Sequence, residues 1–374
     1  VKEIIAVEGR ETTANSKVTL PDEWRWPKTD AAVVARLKQA GVTIGSATTS
    51  HEFAWGITTA QPDRYRATNP LDPTRVAGGS SGGAASSVGS GRAWAAVGTD
   101  TGGSVRIPAA WCGLVGWKPS SGLIAMDGVL PLAPSLDHVG FLARTVEDIA
   151  ALASWWGVDP IEPTGPYRVA SVDIGGVADH ASRTAVSAAR AALKGHAIGV
   201  GERLDPISDD VVRSYTGVQL AEALMVHTSL FGTWPTQRSE YSIDVRARLE
   251  VADRLTPLQQ IQARRIRESL RSRVGQWFFD VDVVLLPTTG CFPPALDDPD
   301  VVIVDGERRS LREVVMPHTA IANLLGLPAV TIPWRTGSDR GIPTAVQLLA
   351  APGRDAAVLA VAQLLAQLDN REEK

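Results

Sequence analysis

Gly98-Thr99-Asp100-Thr101-Gly102-Gly103-Ser104-Val105-Arg106 forms one of two glycine-serine loops in this chain; the other is Gly78-Gly79-Ser80-Ser81-Gly82-Gly83. Glycine beside serine lets backbone N–H groups turn toward a hydroxyl with no Cβ in the way, which is what acyl transfer requires. Glycine and serine also make flexible linkers. Here, however, the apolar run Trp94-Ala95-Ala96-Val97 separates the loops, and Ile107-Pro108-Ala109-Ala110-Trp111-Cys112-Gly113 follows them. Linkers rarely alternate with apolar runs of that kind, so the stretch reads as two shaped loops flanking a buried strand.

Outward from this centre the chain alternates helix and strand, the rhythm of an α/β layer architecture. Residues 30–40 read as an amphipathic helix capped by Asp30 and stopped by Gly41, with a short strand at 42–45. Residues 145–156 read as a helix whose start, Thr145-Val146-Glu147-Asp148, has capping-box character. Glu162-Pro163-Thr164-Gly165-Pro166 is a turn-rich break and the best internal boundary. Beyond it come a strand at 168–173, an Ala-rich helix at 182–193, and helical stretches over 208–230 and 256–279. The apolar run at 281–286 reads as a central strand, and 345–349 and 355–368 as a closing strand and helix.

Bulk properties narrow the class. Apolar content of 44% and charged content of 21% are ordinary for a globular enzyme. A net charge of -4 gives no electrostatic case for a nucleic-acid partner, which needs clustered Lys and Arg. The arginines of Arg264-Arg265-Ile266-Arg267 lie in a helical pattern and read as a solvated face. Cys112 and Cys291 make no disulfide framework, so a reducing, cytoplasmic setting is expected. No apolar run is long enough to span a bilayer, and none reads as a signal peptide in a chain that begins at Val1. Neither a cofactor nor a metal is expected.

Acyl transfer needs a nucleophile, a base, an acid for the leaving group and donors for the oxyanion. Ser104, ending Thr101-Gly102-Gly103-Ser104, is the candidate nucleophile, and backbone N–H groups of Thr101, Gly102 and Gly103 are candidate oxyanion donors. The usual partner of a serine is histidine, yet none of the six His residues stands out. His51, His138 and His318 each read more simply as surface or core residues. Gly78–Gly82 also fits the nucleophile-elbow pattern G-x-S-x-G, but no strand precedes it. A phosphate loop is poorer still, lacking G-K-[S/T]. Asp100 and Arg106 read as a charge-assisted pair holding the loop, Asp137 as a turn cap, and Cys112 as a packed thiol.

From Val1 almost to the C-terminus the chain resembles the amidase signature family of serine hydrolases, with the core of the resemblance from Asn69 to Pro119, where GGSSGG is followed by GTDTGGSVRIPAAWCGLVGWKP. Ser135-Leu136-Asp137-His138-Val139-Gly140 resembles the family's SLD-x-x-G segment, and residues 283–288 and 322–330 resemble its C-terminal landmarks. The resemblance implies an α/β fold with a mixed central β-sheet covered by helices on both faces. It implies one domain over 1–374: catalytic motifs to 160, a variable helical section over 161–280, and the rest of the core beyond. It implies a Ser–Ser–Lys set, in which Ser104 attacks, Ser80 bridges from a cis peptide, and Lys2, in Val1-Lys2-Glu3-Ile4-Ile5, is the base. Family members carry several dozen residues before this lysine, where here one valine precedes it. A lysine serves as a base only when neutral, and burial favours that form.

Ser81 and Trp55 are candidate substrate contacts, with Trp234 and Tyr241 as further aromatics near the pocket wall. The expected partner is a small-molecule amide, and a homodimer is a family-level expectation. The glutamine-hydrolysing amidotransferase subunit is the alternative, although its tyrosine-arginine-tyrosine-glycine pattern is not apparent. Urea-like amides of the biuret or allophanate type, and a non-catalytic assembly role, are the other readings.

Overall fold

The computed structural model describes residues 1–159, 167–196, 198–339 and 341–369. The strands are β1 Ala95–Asp100, β2 Val115–Lys118, β3 His138–Ala143, β4 Arg168–Asp173, β5 Ile198–Leu204, β6 Val283–Pro287, β7 Val301–Val304, β8 Glu307–Ser310, β9 Ala329–Asp339 and β10 Ile342–Ala350. The helices are α1 Asp22–Arg25, α2 Ala32–Gln39, α3 Gly82–Gly89, α4 Arg106–Trp111, α5 Val146–Ser154, α6 His180–Ala192, α7 Ser208–Met225, α8 Ile243–Ala252, α9 Pro257–Gly275, α10 Leu311–Leu325 and α11 Asp355–Asp369. Among the described residues no helix is long and apolar enough to cross a membrane.

Eight strands form one mixed sheet in the order β1-β3-β2-β9-β10-β6-β4-β5, and β7 and β8 make a separate hairpin. Pairing is antiparallel from β1 across to β6, then parallel between β6, β4 and β5. A parallel pair needs a long crossover, and α6 supplies it between β4 and β5. Strands β2 and β3 are buried at every position, as strands covered on both faces must be. That is the mixed, helix-covered sheet of the expected fold.

The sequence expectations fare unevenly. The helix at 145–156 is α5, with the Thr145 side chain accepting a hydrogen bond from the Asp148 amide. The helical reading of 208–230 is α7 followed by a π-helical turn at Val226–Leu230. The break at Glu162–Pro166 lies outside the described residues. Two local readings are corrected. Asp30 does not cap α2; its carboxylate accepts from the Glu8 amide and pairs with Lys38. No strand forms at 42–45. Val42 and Ile44 do lean on the core, but alternation reports which side faces inward, and no neighbouring strand lies alongside to complete a ladder.

The two loops of interest sit where sheet and helices meet. β1 runs into residues 101–105 and then α4, while α3 starts directly after Ser81. Asp100, at the end of β1, takes a two-pronged contact from Arg106 at the start of α4, at 3.0 Å from Nε and 2.9 Å from Nη2. Arg106 also donates to Asn323 Oδ1 on α10 at 2.7 Å and to Gln347 Oε1 on β10 at 3.0 Å. Neither partner of the ion pair is exposed. Removing one member of such a pair leaves an uncompensated buried charge. Arg106→Met is therefore expected to lower unfolding free energy by about 3–5 kcal/mol, measured by urea denaturation; a loss under about 1 kcal/mol, the size of an exposed pair, would show that the clamp is not holding the fold.

Candidate active site

Lys2 reaches the interior because the chain around it is pinned. Its amide donates to Val97 O on β1 at 2.9 Å, it bridges to Thr48, and Ile4 and Ile5 are buried in the core. The lysine itself has no exposure. Its Nζ lies 2.7 Å from Ser80 Oγ and 2.7 Å from Thr99 Oγ1. Burial pushes the amine down to about 7, against the opposing pull of Asp100, Glu3 and Asp137. An amine with two hydroxyl partners and no carboxylate partner is placed to be neutral near physiological pH.

Ser80 is also fully buried, and the Gly79–Ser80 peptide is cis. The Ser80 carbonyl accepts from the His51 amide at 3.1 Å. The Ser81 amide donates to Ser104 O at 3.2 Å, so the two glycine-serine loops are joined backbone to backbone beside Lys2. Ser81's hydroxyl donates to Thr99 O at 3.2 Å; the residue is buried and does not line the cavity at Ser104. That cavity is narrow, and Trp55, Ile57, Leu132, Tyr215 and Met316 line it together with Thr101, Gly102 and Ser104. A wider cleft, lined in part by Val1, Ile44, Ser87 and Trp94, contains none of Lys2, Ser80 or Ser104.

The loop backbone is set by Asp100. Its carboxylate accepts from the Gly103 amide at 2.7 Å and the Val105 amide at 3.2 Å. This corrects one expectation: the Gly103 N–H is turned back to Asp100 and does not face the cavity. Thr101 and Gly102 line the cavity. Gly103 is nonetheless needed as glycine, because φ is +121° and a Cβ would stand 2.6 Å from Thr319 Cβ, a backbone region L side chains avoid. Burial alone would raise the Asp100 carboxyl, but Arg106's charge and hydrogen bonds, with Lys118 and Asn323, hold it well below the usual carboxylate range. Asp137 braces the loop from the other side, accepting from Thr101 Oγ1 at 2.6 Å and from the Leu132 and Ala133 amides at 2.9 Å each.

Trp55 lines the cavity at Ser104. Its indole N–H donates to Gln219 Oε1 at 3.1 Å, Gln219 in turn donates to the Tyr215 hydroxyl, and that hydroxyl is the nearest atom to a Cβ built on Gly102. The sequence did not single out Gln219, or Thr99 beside Lys2; no local signal marks a helical glutamine or a strand threonine as facing a site. Trp234 and Tyr241 lie instead in an aromatic cluster with Phe53, His227 and Phe231. Cys112 is buried, with its thiol pushed up by burial.

His51 has the carboxylate partner that the sequence did not reveal, with Nε2 2.7 Å from Asp244 Oδ2. Its Nδ1 accepts from the Thr59 amide at 3.3 Å, so both ring nitrogens are engaged away from Ser104. Burial lowers its pKa despite Asp244. A second buried lysine, Lys118, is also pushed down to about 7 by burial and the Arg106 charge; it donates to Pro119 O at 2.9 Å.

A family model described as Amidase matches residues 1–359. The chain belongs to the amidase family. It is 31% identical over 384 residues to AtzE, the 1-carboxybiuret hydrolase subunit of Pseudomonas sp. (strain ADP), covering 98% of this chain and 82% of that protein. It is 33% identical over 405 residues to a subunit of the glutamyl-tRNA(Gln) amidotransferase of Halobacterium salinarum (strain ATCC 700922 / JCM 11081 / NRC-1), covering 93% of this chain and 90% of that protein. A crystal structure of an amidase superposes with a TM-score of 0.89 at 33% identity, covering 98% of this chain and 83% of the other. The protein is accordingly a hydrolase of amide C–N bonds, built on the amidase signature fold.

Gly102→Ala presses a methyl group onto the Tyr215 phenol and displaces the loop that carries Ser104. Turnover of any amide the enzyme accepts is expected to fall by roughly 10²-fold, the cost of a misplacement of about 1 Å; unchanged steady-state rates would show that the loop has slack.

Proposed function

We propose that this amidase hydrolyses a small carboxylic amide through an acyl-enzyme on Ser104, with Ser80 passing the proton to Lys2. The observation that carries this reading is the 2.7 Å contact between Lys2 Nζ and Ser80 Oγ at a site with no solvent exposure. Ser104 gives up its proton as it bonds to the amide carbon; Ser80 hands its own proton to neutral Lys2 and receives the one from Ser104. The resulting ammonium returns a proton along the same path to the departing nitrogen, and water then releases the acid by the reverse relay. Thr101 and Gly102 amides, at the base of the cavity, are the oxyanion donors in this scheme. The narrow cavity lined by Trp55, Tyr215 and Met316 favours a small acyl group. The proposal takes the chain as one catalytic unit, because Lys2, β1 and α10 meet at the same site.

A second substrate reading has its own support. The similarity to a 1-carboxybiuret hydrolase subunit favours a urea-type amide, and the Ser104 chemistry is unchanged for it. A glutamine-hydrolysing role finds support in the similarity to a glutamyl-tRNA(Gln) amidotransferase, but the tyrosine-arginine-tyrosine-glycine pattern is not apparent in this sequence.

Ammonia release from a panel of small amides and ureas tests the scheme. Ser104→Ala and Lys2→Ala are each expected to lose at least about 10³-fold in kcat, on the scale of losses from units that act together. Because Lys2 must be unprotonated and sits at about 7, kcat/KM should climb about tenfold per pH unit below that value and level off above it. Activity that survives Lys2→Ala but vanishes in His51→Asn would replace the lysine with a histidine base.

A further inference from the structure

Resting on the Ser104 reading, the walls of the same cavity carry information about the acyl group. Among the residues lining it, Arg312 is the one charged side chain; the rest are apolar or neutral. α10 is otherwise buried from Val314 onward, and Arg312 stands half-buried at its first turn. Its helical neighbours do not neutralise it, because Glu313 pairs with Arg309 at 3.1 Å. Among the described residues Arg312 makes no ion pair of its own. A guanidinium facing a narrow, largely apolar cavity without a carboxylate is an incomplete pair.

A second arginine lies behind the wall. Arg248, on α8, stacks over the Trp55 ring at 6.0 Å, and its buried Nη1 has no hydrogen-bond partner among the described residues. Its contact with Asp244 is a loose 3.3 Å. That carboxylate is already engaged by His51, Gln61 and Ser242. Burial, then the charge of Arg312, push the Arg248 guanidinium down to about 10, against Asp244 and Asp300. Both arginines also act on the Tyr215 phenol at the cavity wall. Two cations thus bear on one small space, while the Asp244 carboxylate on the Arg248 helix is taken up by His51, Gln61 and Ser242.

We propose that this pocket selects amides whose short acyl chain ends in a carboxylate, held by Arg312 at the cavity wall and favoured by the field of Arg248 behind Trp55. For a primary amide, whose departing group is ammonia, the cavity walls face the acyl part. A neutral acyl chain of the same length leaves Arg312 without its partner, and sites built for a charged or hydrogen-bonding group discriminate strongly against analogues lacking it.

The test reads binding separately from turnover. The full chain carrying Ser104→Ala is titrated calorimetrically with glutaramate and with pentanamide, its neutral counterpart of equal chain length. Glutaramate is expected to bind at least about tenfold more tightly, the scale of one charge-assisted contact. Adding Arg312→Gln should abolish that preference, and Arg312→Lys should keep part of it. Equal binding of the two amides, no detectable glutaramate binding at 10 mM (roughly the weak end of specific affinity), or a preference that persists in Arg312→Gln would overturn the proposal. Ammonia release from glutaramate by the Ser104→Ala protein would sink the nucleophile assignment instead, and the Arg312 comparison would still be read from the affinities.

Discussion

The buried pair of Asp100 and Arg106 is the interaction on which the site depends. Arg106 answers Asp100 with a two-pronged contact and uses its remaining donors on Asn323 and Gln347, tying β1, α4, α10 and β10 into one block. The same two carboxylate oxygens also accept from the amides of Gly103 and Val105, which shapes the loop that presents Ser104. The same pairing governs Lys2. Asp100 is the strongest carboxylate influence on that lysine, and a free anion so close would keep the ammonium charged. Compensated by Arg106, it cannot outweigh burial.

The other acidic groups near the lysine are handled in a similar way. Glu3 takes hydrogen bonds from the amide and hydroxyl of Ser50 and from the hydroxyl of Thr13. Asp137 is occupied by the 132–133 turn and Thr101. Each carboxylate therefore has a structural partner closer than Lys2, while Lys2 is given hydroxyls. The chemistry of a neutral amine in a protein interior comes from that allocation: dry surroundings disfavour the ammonium, and no adjacent anion restores it. On the cavity side the balance is reversed, with Arg312 and Arg248 bearing on the space beside Ser104.

Much of this was legible along the chain, but unevenly. Ser80, Ser104 and the glycine loops are contiguous, and their resemblance to a known family placed Lys2 as well. Thr99, Gln219 and Arg312 escaped notice because their partners are remote in sequence; Thr99 meets Lys2 across 97 positions, and Gln219 meets Trp55 across 164. His51 gained a carboxylate partner from 193 residues away, and the same fold turned its ring from the site. Even within the motif, the direction of the Gly103 amide depends on a carboxylate whose position Arg106, Asn323 and the sheet determine together.

By itself the sequence determined the loops, the apolar strands and the pairing of Asp100 with Arg106, because glycine torsions, β-branched runs and opposite charges a few residues apart act locally. It could name a lysine but not make it neutral. Only the tertiary structure decided that Lys2 would lie in a dry interior between Ser80 and Thr99, that Gly103 would face Asp100, and that Arg312 would line the cavity at Ser104. Desolvation and electrostatic fields are sums over every group that surrounds a site, and those groups come together only when the whole chain has folded.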